Sequence, residues 1–395
     1  MIIDSVLKRI IKKGSLVVID SSGKKYEYGK KEESSLTMIL NSKLIDFKIF
    51  VRPRLYLGEA YMNGEISIKN GDIYDLLSIF QMNIEARPSH WVEKINNFFA
   101  YTVRTFNYFN TIGRSRKNVA HHYDISKELY NLFLDDDWQY SCGYFNSPED
   151  SLEKAQSQKK SHIIKKLRLK ENQKILDIGS GWGGLGIEIA KSYSADVLGI
   201  TLSKEQCDFS NIRVKQSGSN FPVRFELKDY RDVNEEFDRI VSVGMFEHVG
   251  PIYYKTFFKK ISDLLKNDGL ALLHTIGRSD IPGSPNPWVN KYIFPGGYTP
   301  SLSEIMPAIE NSGLVVTDIE VLTLHYAKTL KEWRKRFLNN RDRAKKIYDE
   351  KFCKMWEYYL AASQSSFEYA GSVVFQIQLA KTNSSVPQTR DYIYK

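Results

Sequence analysis

Residues 175–186, ILDIGSGWGGLG, join a short apolar strand to a helix through a turn that carries glycine at 179, 181, 183 and 184. A strand with Ile175, Leu176 and Ile178 must end where Gly179, Gly181 and Gly183 let the backbone take unusual dihedrals and approach a ligand closely. With Gly179, Gly181 and Gly184 as the in-phase set, the turn matches GxGxxG and points to an adenosine-bearing cofactor. A dinucleotide site places an acid roughly 20 residues further on, at the end of the second strand, to hold the ribose. Here that strand, ADVLGIT, ends in Thr201 followed by Leu202 and Ser203, which argues against a nicotinamide. No GKS or GKT closes the turn, so a Walker phosphate loop is disfavoured. A glycine turn that serves only strand and helix packing is the remaining alternative.

The turn stands in a long alternation of element types. Strands are expected at 174–178, 196–201, 223–227, 239–243, 270–275, 314–321 and 373–380, and helices at 185–193, 204–216, 253–265 and 302–309. This predicts an α/β fold, an open and mostly parallel sheet covered on both faces, with 373–380 returning as an edge partner. Ligands in such sheets bind beyond the carboxyl ends of the strands. Those ends supply Asp229 and Tyr230 in LKDYRD, Met245, Phe246, Glu247 and His248 in SVGMFEHVG, and His274 with Ile276 in LLHTIG. A packed, internally bonded histidine is the bland alternative for His274. Its place at a strand end favours function. A carboxylate at Glu247 beside Met245 and Phe246 is costly unless paired, and His248 reads as structural or capping.

The 395 residues exceed one typical domain and predict two. A net charge of +9, from 56 basic and 47 acidic residues, favours an anionic partner without choosing between lipid and nucleic acid. Cys142, Cys207 and Cys353 have neither zinc-like spacing nor a disulfide pattern, so no metal is expected and a reducing compartment is. No run approaches 18 apolar residues, and the start lacks a secretory core, which predicts a cytoplasmic protein. The start itself, MIIDSVLKRIIKK, lines up Ile3, Val6, Leu7, Ile10 and Ile11 with Lys8, Arg9, Lys12 and Lys13 nearby, and could dock on the protein core or on anionic lipid. A turn at 21–25, a strand at 47–52 and a helix at 73–80 complete a small α+β region of about a hundred residues. Trp91, Phe98, Phe99, Tyr101, Phe106, Tyr108 and Phe109 precede Arg114, Arg116 and Lys117, a composition that suits a membrane interface and equally an interdomain helix. No RNP, zinc-finger or recognition-helix pattern supports nucleic acid binding.

Ten blocks then fall in one order: LGEAYMNG at 57–64, NVAHHYDIS at 118–126, YSCGYF at 140–145, DIGSGWGG at 177–184, GITLSKEQ at 199–206, DYRD at 229–232, MFEHVG at 245–250, LLHTIG at 272–277, NKYIFPGG at 290–297 and HYAKTLKEW at 325–333. Through them the chain resembles the cyclopropane-fatty-acyl-phospholipid synthases, S-adenosylmethionine-dependent lipid methyltransferases. The resemblance implies a Rossmann-like class I methyltransferase sheet with a smaller amino-terminal α+β domain. It divides the chain into a lipid-associated region at 1–110, a linker and cofactor lid at 111–135, a catalytic domain at 136–381 and a polar tail at 382–395. It implies S-adenosylmethionine held by Tyr140, Ser141, Asp177, Gly179, Gly181, Thr201, Gln206, Asp229 and Tyr230. It also implies a bicarbonate ion held by Cys142, Glu247, His274, Ile276 and Tyr326, with Cys142 and Ile276 contributing backbone groups.

The implied chemistry is methyl transfer to a cis alkene in a phospholipid acyl chain, followed by proton removal from the transferred carbon by the bicarbonate as the ring closes. Glu247 would accept the bicarbonate hydroxyl hydrogen, His274 and Tyr326 would donate to the anion, and Tyr298 and Phe145 would stabilise the cation with their rings. A methyl-branched or methylene fatty acid is the alternative product, and an inert membrane-binding protein the non-enzyme reading. The expected partners are unsaturated phospholipids in anionic membranes and a second copy of the chain, with the protein peripheral on the inner face of the cell membrane.

Overall fold

The computed structural model describes residues 1–30, 35–83, 126–218 and 222–394. The aromatic and basic cluster at 91–117 and most of the block at 118–126 lie outside the described residues. Two compact units emerge, one drawn from 1–98, 285–295 and 327–372, the other from 99–284, 296–326 and 373–395.

The first unit is built on a four-stranded sheet of order β2-β1-β3-β4, with β1 Ser15–Ile19, β2 Lys25–Gly29, β3 Leu36–Leu40 and β4 Ile66–Lys69. The β1–β2 hairpin closes because the Asp20 carboxylate accepts from the backbone N–H of Ser22 and Lys24, at 2.9 and 3.1 Å. Leu16 and Val18 on β1, and Leu36, Met38 and Leu40 on β3, alternate inward as a strand period of two requires. Helices Ile73–Asn83 and Glu350–Tyr369 pack on each other. The amino-terminal helix Asp4–Ile10 divides its apolar stripe: Ile3, Leu7 and Ile11 are buried, whereas Ile2, Val6 and Ile10 are exposed.

The strand expected at 47–52 is a helix, Lys43–Val51. Phe47, Ile49 and Val51 alternate as a strand would, but the Ser42 side chain accepts from Ile45 N–H at 3.2 Å and starts a helix that buries Ile45 and Ile49 at i, i+4 spacing. Near the carboxyl end of this unit, helix Arg341–Ile347 ends at Tyr348, and Asp349 caps Glu350–Tyr369 by accepting from Phe352 N–H at 2.7 Å.

The second unit carries a seven-stranded sheet of order β10-β11-β9-β8-β5-β6-β7. Its strands are β5 Lys174–Ile178, β6 Asp196–Thr201, β7 Val223–Leu227, β8 Phe237–Val243, β9 Leu265–Arg278, β10 Val315–Val321 and β11 Ser372–Ala380. The β5–β6, β6–β7, β5–β8 and β8–β9 pairs are parallel, and β10–β11 is antiparallel. Successive residues of β5 feed opposite layers: Ile175 joins Ile163, Leu167, Leu185 and Ile189, whereas Leu176 and Ile178 join Phe246, Phe257 and Phe258. Because β6 flanks β5 on one side and β8 on the other, the winding reverses there and opens a crevice at the carboxyl end of β5.

The strand expected at the edge, β11, instead lies between β9 and β10. Every residue of it after Ser372 is buried, which an edge ladder facing water does not allow, and β10 takes the edge with its partly exposed Val315, Val316, Thr317 and Glu320.

In the first unit, a Cβ added at Gly58 in helix Pro53–Met62 would lie 2.5 Å from Nε1 of the fully buried Trp288. Helix propensity alone favours alanine by about 1 kcal/mol, but the rigid indole sets the sign. Gly58→Ala is expected to destabilise by about 2 kcal/mol net in chemical denaturation; an unchanged or raised midpoint would mean that the ring gives way.

Candidate active site

At the end of β5 the chain turns through Gly179 at φ +81°, where a Cβ would come within 2.6 Å of the Met245 Cβ. Gly181, at φ +55°, has open space where its Cβ would stand. Only glycine reconciles these dihedrals with such an approach. The resulting cleft is lined by all nine positions assigned to the cofactor: Tyr140, Ser141, Asp177, Gly179, Gly181, Thr201, Gln206, Asp229 and Tyr230. Thr201 Oγ1 donates to Gln206 Oε1 at 2.9 Å, and this fixes the amide at the wall. Asp229 is clasped by the Arg231 side chain at 2.8 and 2.7 Å.

Two buried polar atoms of the cleft, Asp177 Oδ2 and Ser180 Oγ, have no hydrogen-bond partner among the described residues. Unpaired buried polar groups are costly and rare, so these two suit a polar ligand with a cationic part. Burial pushes the Asp177 carboxyl up to about 7.

Sequence reading missed Lys159. It lies in helix Leu152–Leu167, only 1% exposed, and its ammonium donates to Gln139 Oε1 at 2.5 Å and to Ser141 Oγ at 2.9 Å. Burial lowers it to about 8, and its charge acts on Asp177, Cys142 and His274. The signal was present as spacing. Leu152, Ala155, Gln156, Lys159, Ile163 and Leu167 form one buried stripe, and a lysine on an apolar stripe has to find partners inside.

The five residues assigned to the anion all belong to this unit. Glu247, in the short 3-10 turn Phe246–His248, is buried and accepts from Ile276 N–H through Oε1 at 2.6 Å. Its Oε2 has no hydrogen-bond partner among the described residues. The N–H of Ile276 is therefore committed to Glu247. Burial pushes Glu247 up to about 7 and His274 down to about 3. His274 Nδ1 is 3.1 Å from Gln376 Nε2 on β11; with the amide donating, the neutral ring carries its proton on Nε2. His248 also lines the cleft, lowered to about 4 by burial.

Cys142 is buried, its thiol donates to Gly143 O at 3.3 Å, and burial raises it far above the usual thiol range. Tyr326, also buried, stands in the first turn of helix Thr323–Asn339. Its neighbour His325 accepts from Phe145 N–H at 3.0 Å and stacks on Tyr144 at 4.7 Å, which ties Tyr326 to the loop that carries Cys142. Tyr144 stacks in turn on His162 at 4.2 Å, and His162 meets Glu320 at 2.6 Å. Burial opposes ionisation of Glu320, yet His162 and the fully buried Lys166, 2.5 Å away, hold it down to about 2. Lys159 is the charge common to Cys142 and His274. Tyr298 lies behind Glu247, its N–H bonded to Glu247 O at 2.9 Å and its hydroxyl to Glu304 at 2.8 and 2.9 Å. Among the described residues no group of acids, histidines and cysteines is arranged to hold a metal ion.

Residues 111–377 match the family described as mycolic acid cyclopropane synthetase, and residues 2–86 match a domain described only as of unknown function. The chain is 36% identical over 330 residues to the cyclopropane-fatty-acyl-phospholipid synthase of Escherichia coli strain K12, covering 83% of each protein. It is 35% identical over 350 residues to a probable fatty acid methyltransferase of Pseudomonas putida, covering 86% of each. A mycolic acid cyclopropane synthase crystallised with SAH and CTAB superimposes with a TM-score of 0.64 at 33% identity, over 67% of this chain and 97% of that one. The unpaired Asp177 and Ser180 atoms and the open face at Gly181 fit S-adenosylmethionine in the cleft.

Gly179→Ala is expected to weaken S-adenosylhomocysteine binding by at least about tenfold in calorimetry, because the left-handed backbone and the Met245 contact both resist a methyl group. Asp177 and Glu247 also set a pH dependence. Both carboxyls are raised, so the native protein holds their protons more tightly than the unfolded chain does. Their stabilising contribution is full below the ordinary carboxylate range and is lost as pH rises through about 7. Denaturation of the ligand-free protein should show Glu247→Gln more stable than the parent by about 3 kcal/mol near pH 8. The gap should close toward about pH 5; a constant gap would contradict the raised carboxyl.

Proposed function

The chain belongs to the mycolic acid cyclopropane synthetase family, and from that membership we propose that it adds a one-carbon unit to the cis double bond of an unsaturated phospholipid acyl chain and closes a cyclopropane ring, with bound bicarbonate as the base. The supporting observation is Glu247, a buried carboxyl held at one oxygen by Ile276 and, among the described residues, left without a hydrogen-bond partner at the other. That second oxygen is matched to the hydroxyl of a bicarbonate ion. His274, neutral and turned by Gln376, presents an Nε2 proton to the same anion, and the Tyr326 hydroxyl is the second donor.

S-adenosylmethionine supplies an electrophilic methyl when bound, and the walls formed by Asp177, Thr201, Gln206 and Asp229 hold it beside the β5 turn. An alkene that accepts a methyl cation is left with positive charge on carbon, and ring closure requires a proton to leave the transferred carbon. A side chain acting as that base would be bulky. A small anion fixed by Glu247, His274 and Tyr326 is compact, and its charge favours the cation. Lys159 favours the charged form of Asp177 against the burial that raises it. Cys142 has no part as a nucleophile, since burial keeps its thiol protonated. The resemblance further favours a homodimer acting peripherally on the inner face of an anionic membrane. No described helix is long and apolar enough to cross a membrane.

Vesicles of unsaturated phospholipid incubated with the protein and S-adenosylmethionine should yield fatty chains with cyclopropane methylene signals in NMR. Vinylidene or branched-methyl signals would instead assign the chain to lipid C-methylation, and its Pseudomonas relative is described as a probable fatty acid methyltransferase. Glu247→Gln is expected to cut turnover by about a hundredfold or more, with S-adenosylhomocysteine affinity within about twofold of the parent. Near-normal turnover would remove the bicarbonate site.

A further inference from the structure

Seventeen large apolar side chains are exposed among the described residues, and seven of them fall in two short segments of the first unit. Ile2, Val6 and Ile10 belong to the amino-terminal helix and its lead-in, and Leu44, Phe47, Phe50 and Val51 to helix Lys43–Val51. Leu44, Phe47 and Val51 follow i, i+3, i+7 spacing with Phe50 beside them, and all four are 47% to 60% exposed. A folded monomer gains nothing by leaving two phenylalanines, a leucine and a valine in water on one stripe.

The two segments are fastened together. The buried Asp46 carboxylate accepts from Ile2 N–H at 2.6 Å and from Ile3 N–H at 3.1 Å, so the start of one helix is held against the side of the other. This also consumes an acid. The remaining acid, Asp4, is taken by Lys8 at 2.9 Å and by the Tyr28 hydroxyl at 2.8 Å. Basic residues occupy both segments: Lys8, Arg9, Lys12 and Lys13 on one, Lys43, Lys48, Arg52 and Arg54 on the other.

We infer that the paired helices Asp4–Ile10 and Lys43–Val51 form a docking surface for an anionic phospholipid bilayer. Exposed phenylalanine, leucine, isoleucine and valine enter the boundary between headgroups and acyl chains, and the surrounding lysines and arginines meet phosphates. Charge complementarity selects the bilayer over a second copy of the chain. A twofold interface on this patch would set its eight cations against the same eight, with both nearby acids already spent. Docking extends the proposed lipid function, because an alkene deep in hydrocarbon is reached only by an enzyme held at the bilayer.

The test is flotation of the full chain on vesicles of phosphatidylglycerol with phosphatidylcholine, and on phosphatidylcholine alone, without methyl donor, so that its outcome is separate from that of the product experiment. Phe47→Ser with Phe50→Ser is expected to weaken partitioning to the anionic vesicles at least about tenfold. Lys43→Gln with Arg52→Gln and Arg54→Gln is expected to weaken it by roughly a hundredfold, and to leave neutral vesicles unaffected. The glutamine set alters only exposed side chains, so it decides the question even where the serine pair unfolds; circular dichroism and S-adenosylhomocysteine affinity report the fold. Undiminished partitioning of the glutamine set, or equal binding of the parent to neutral vesicles, overturns the surface. So does a change in sedimentation mass without a change in partitioning, which would make the patch a contact between copies.

Discussion

One buried ammonium organises the catalytic unit. Lys159 reaches inward from helix Leu152–Leu167 to Gln139 and Ser141, and Gln156 on the same helix donates to the carbonyls of both those residues. The segment that carries Tyr140, Ser141 and Cys142 is thus fixed by side chains of a helix lying outside the strand ends, a construction more rigid than a free loop. Taking a lysine out of water is expensive, and the compensation is local: hydrogen bonds on two sides, with Asp135, Asp137 and Asp177 close enough to favour its charge or to be favoured by it. The first wall of the cleft stands because this charge has to be satisfied.

The same dryness governs the neighbouring groups. Asp177 and Glu247 are raised toward neutrality, His274 and His248 are kept uncharged, and the Cys142 thiol is held as a thiol. Burial heads the causes for each of them. For the reaction proposed, this matters more than any one hydrogen bond. A carbon cation survives where water is excluded and where no thiolate stands ready to capture it, and the lone pair of the neutral His274 ring is turned to Gln376. A site that suppresses the nucleophilicity of its own side chains can hand the proton-removing role to a small, exchangeable anion.

Much of this was legible in the chain. The runs read as β5, β6, β7 and helix Lys204–Gln216 coincide with the observed elements, because isolated apolar strands and amphipathic helices bounded by glycine and polar residues leave little choice of boundary. Of the strand-end residues, Asp229, Tyr230, Met245 and His248 line the cleft, since strand ends in a doubly wound sheet converge, whereas Phe246, Glu247, His274 and Ile276 are not among its lining residues. What escaped depends on contacts distant in sequence. Phe47, Ile49 and Val51 alternate like a strand, and only the cap at Ser42 with the burial of Ile45 and Ile49 reveals a helix. Lys159 and Lys160 are neighbours in the sequence and both are buried, and nothing local distinguishes the one that reaches Gln139 and Ser141 from the one that reaches Asp137. The compact units interleave along the sequence, with 285–295 and 327–372 grouped with the amino-terminal part, and no local composition marks such exchanges.

The position of β11 bears on how the molecule is made. Of the sheet's strands it is the last to be synthesised, yet it fills an interior slot between β9 and β10 and brings Gln376 to the ring of His274. While residues 372–380 are still inside the ribosome, β10 has no partner through which to join the sheet, and His274 has no group to choose its tautomer. The part of the cleft built on β5, β6 and β7 precedes it in the chain. The strands that line the cleft are therefore synthesised before the residue that faces the His274 ring.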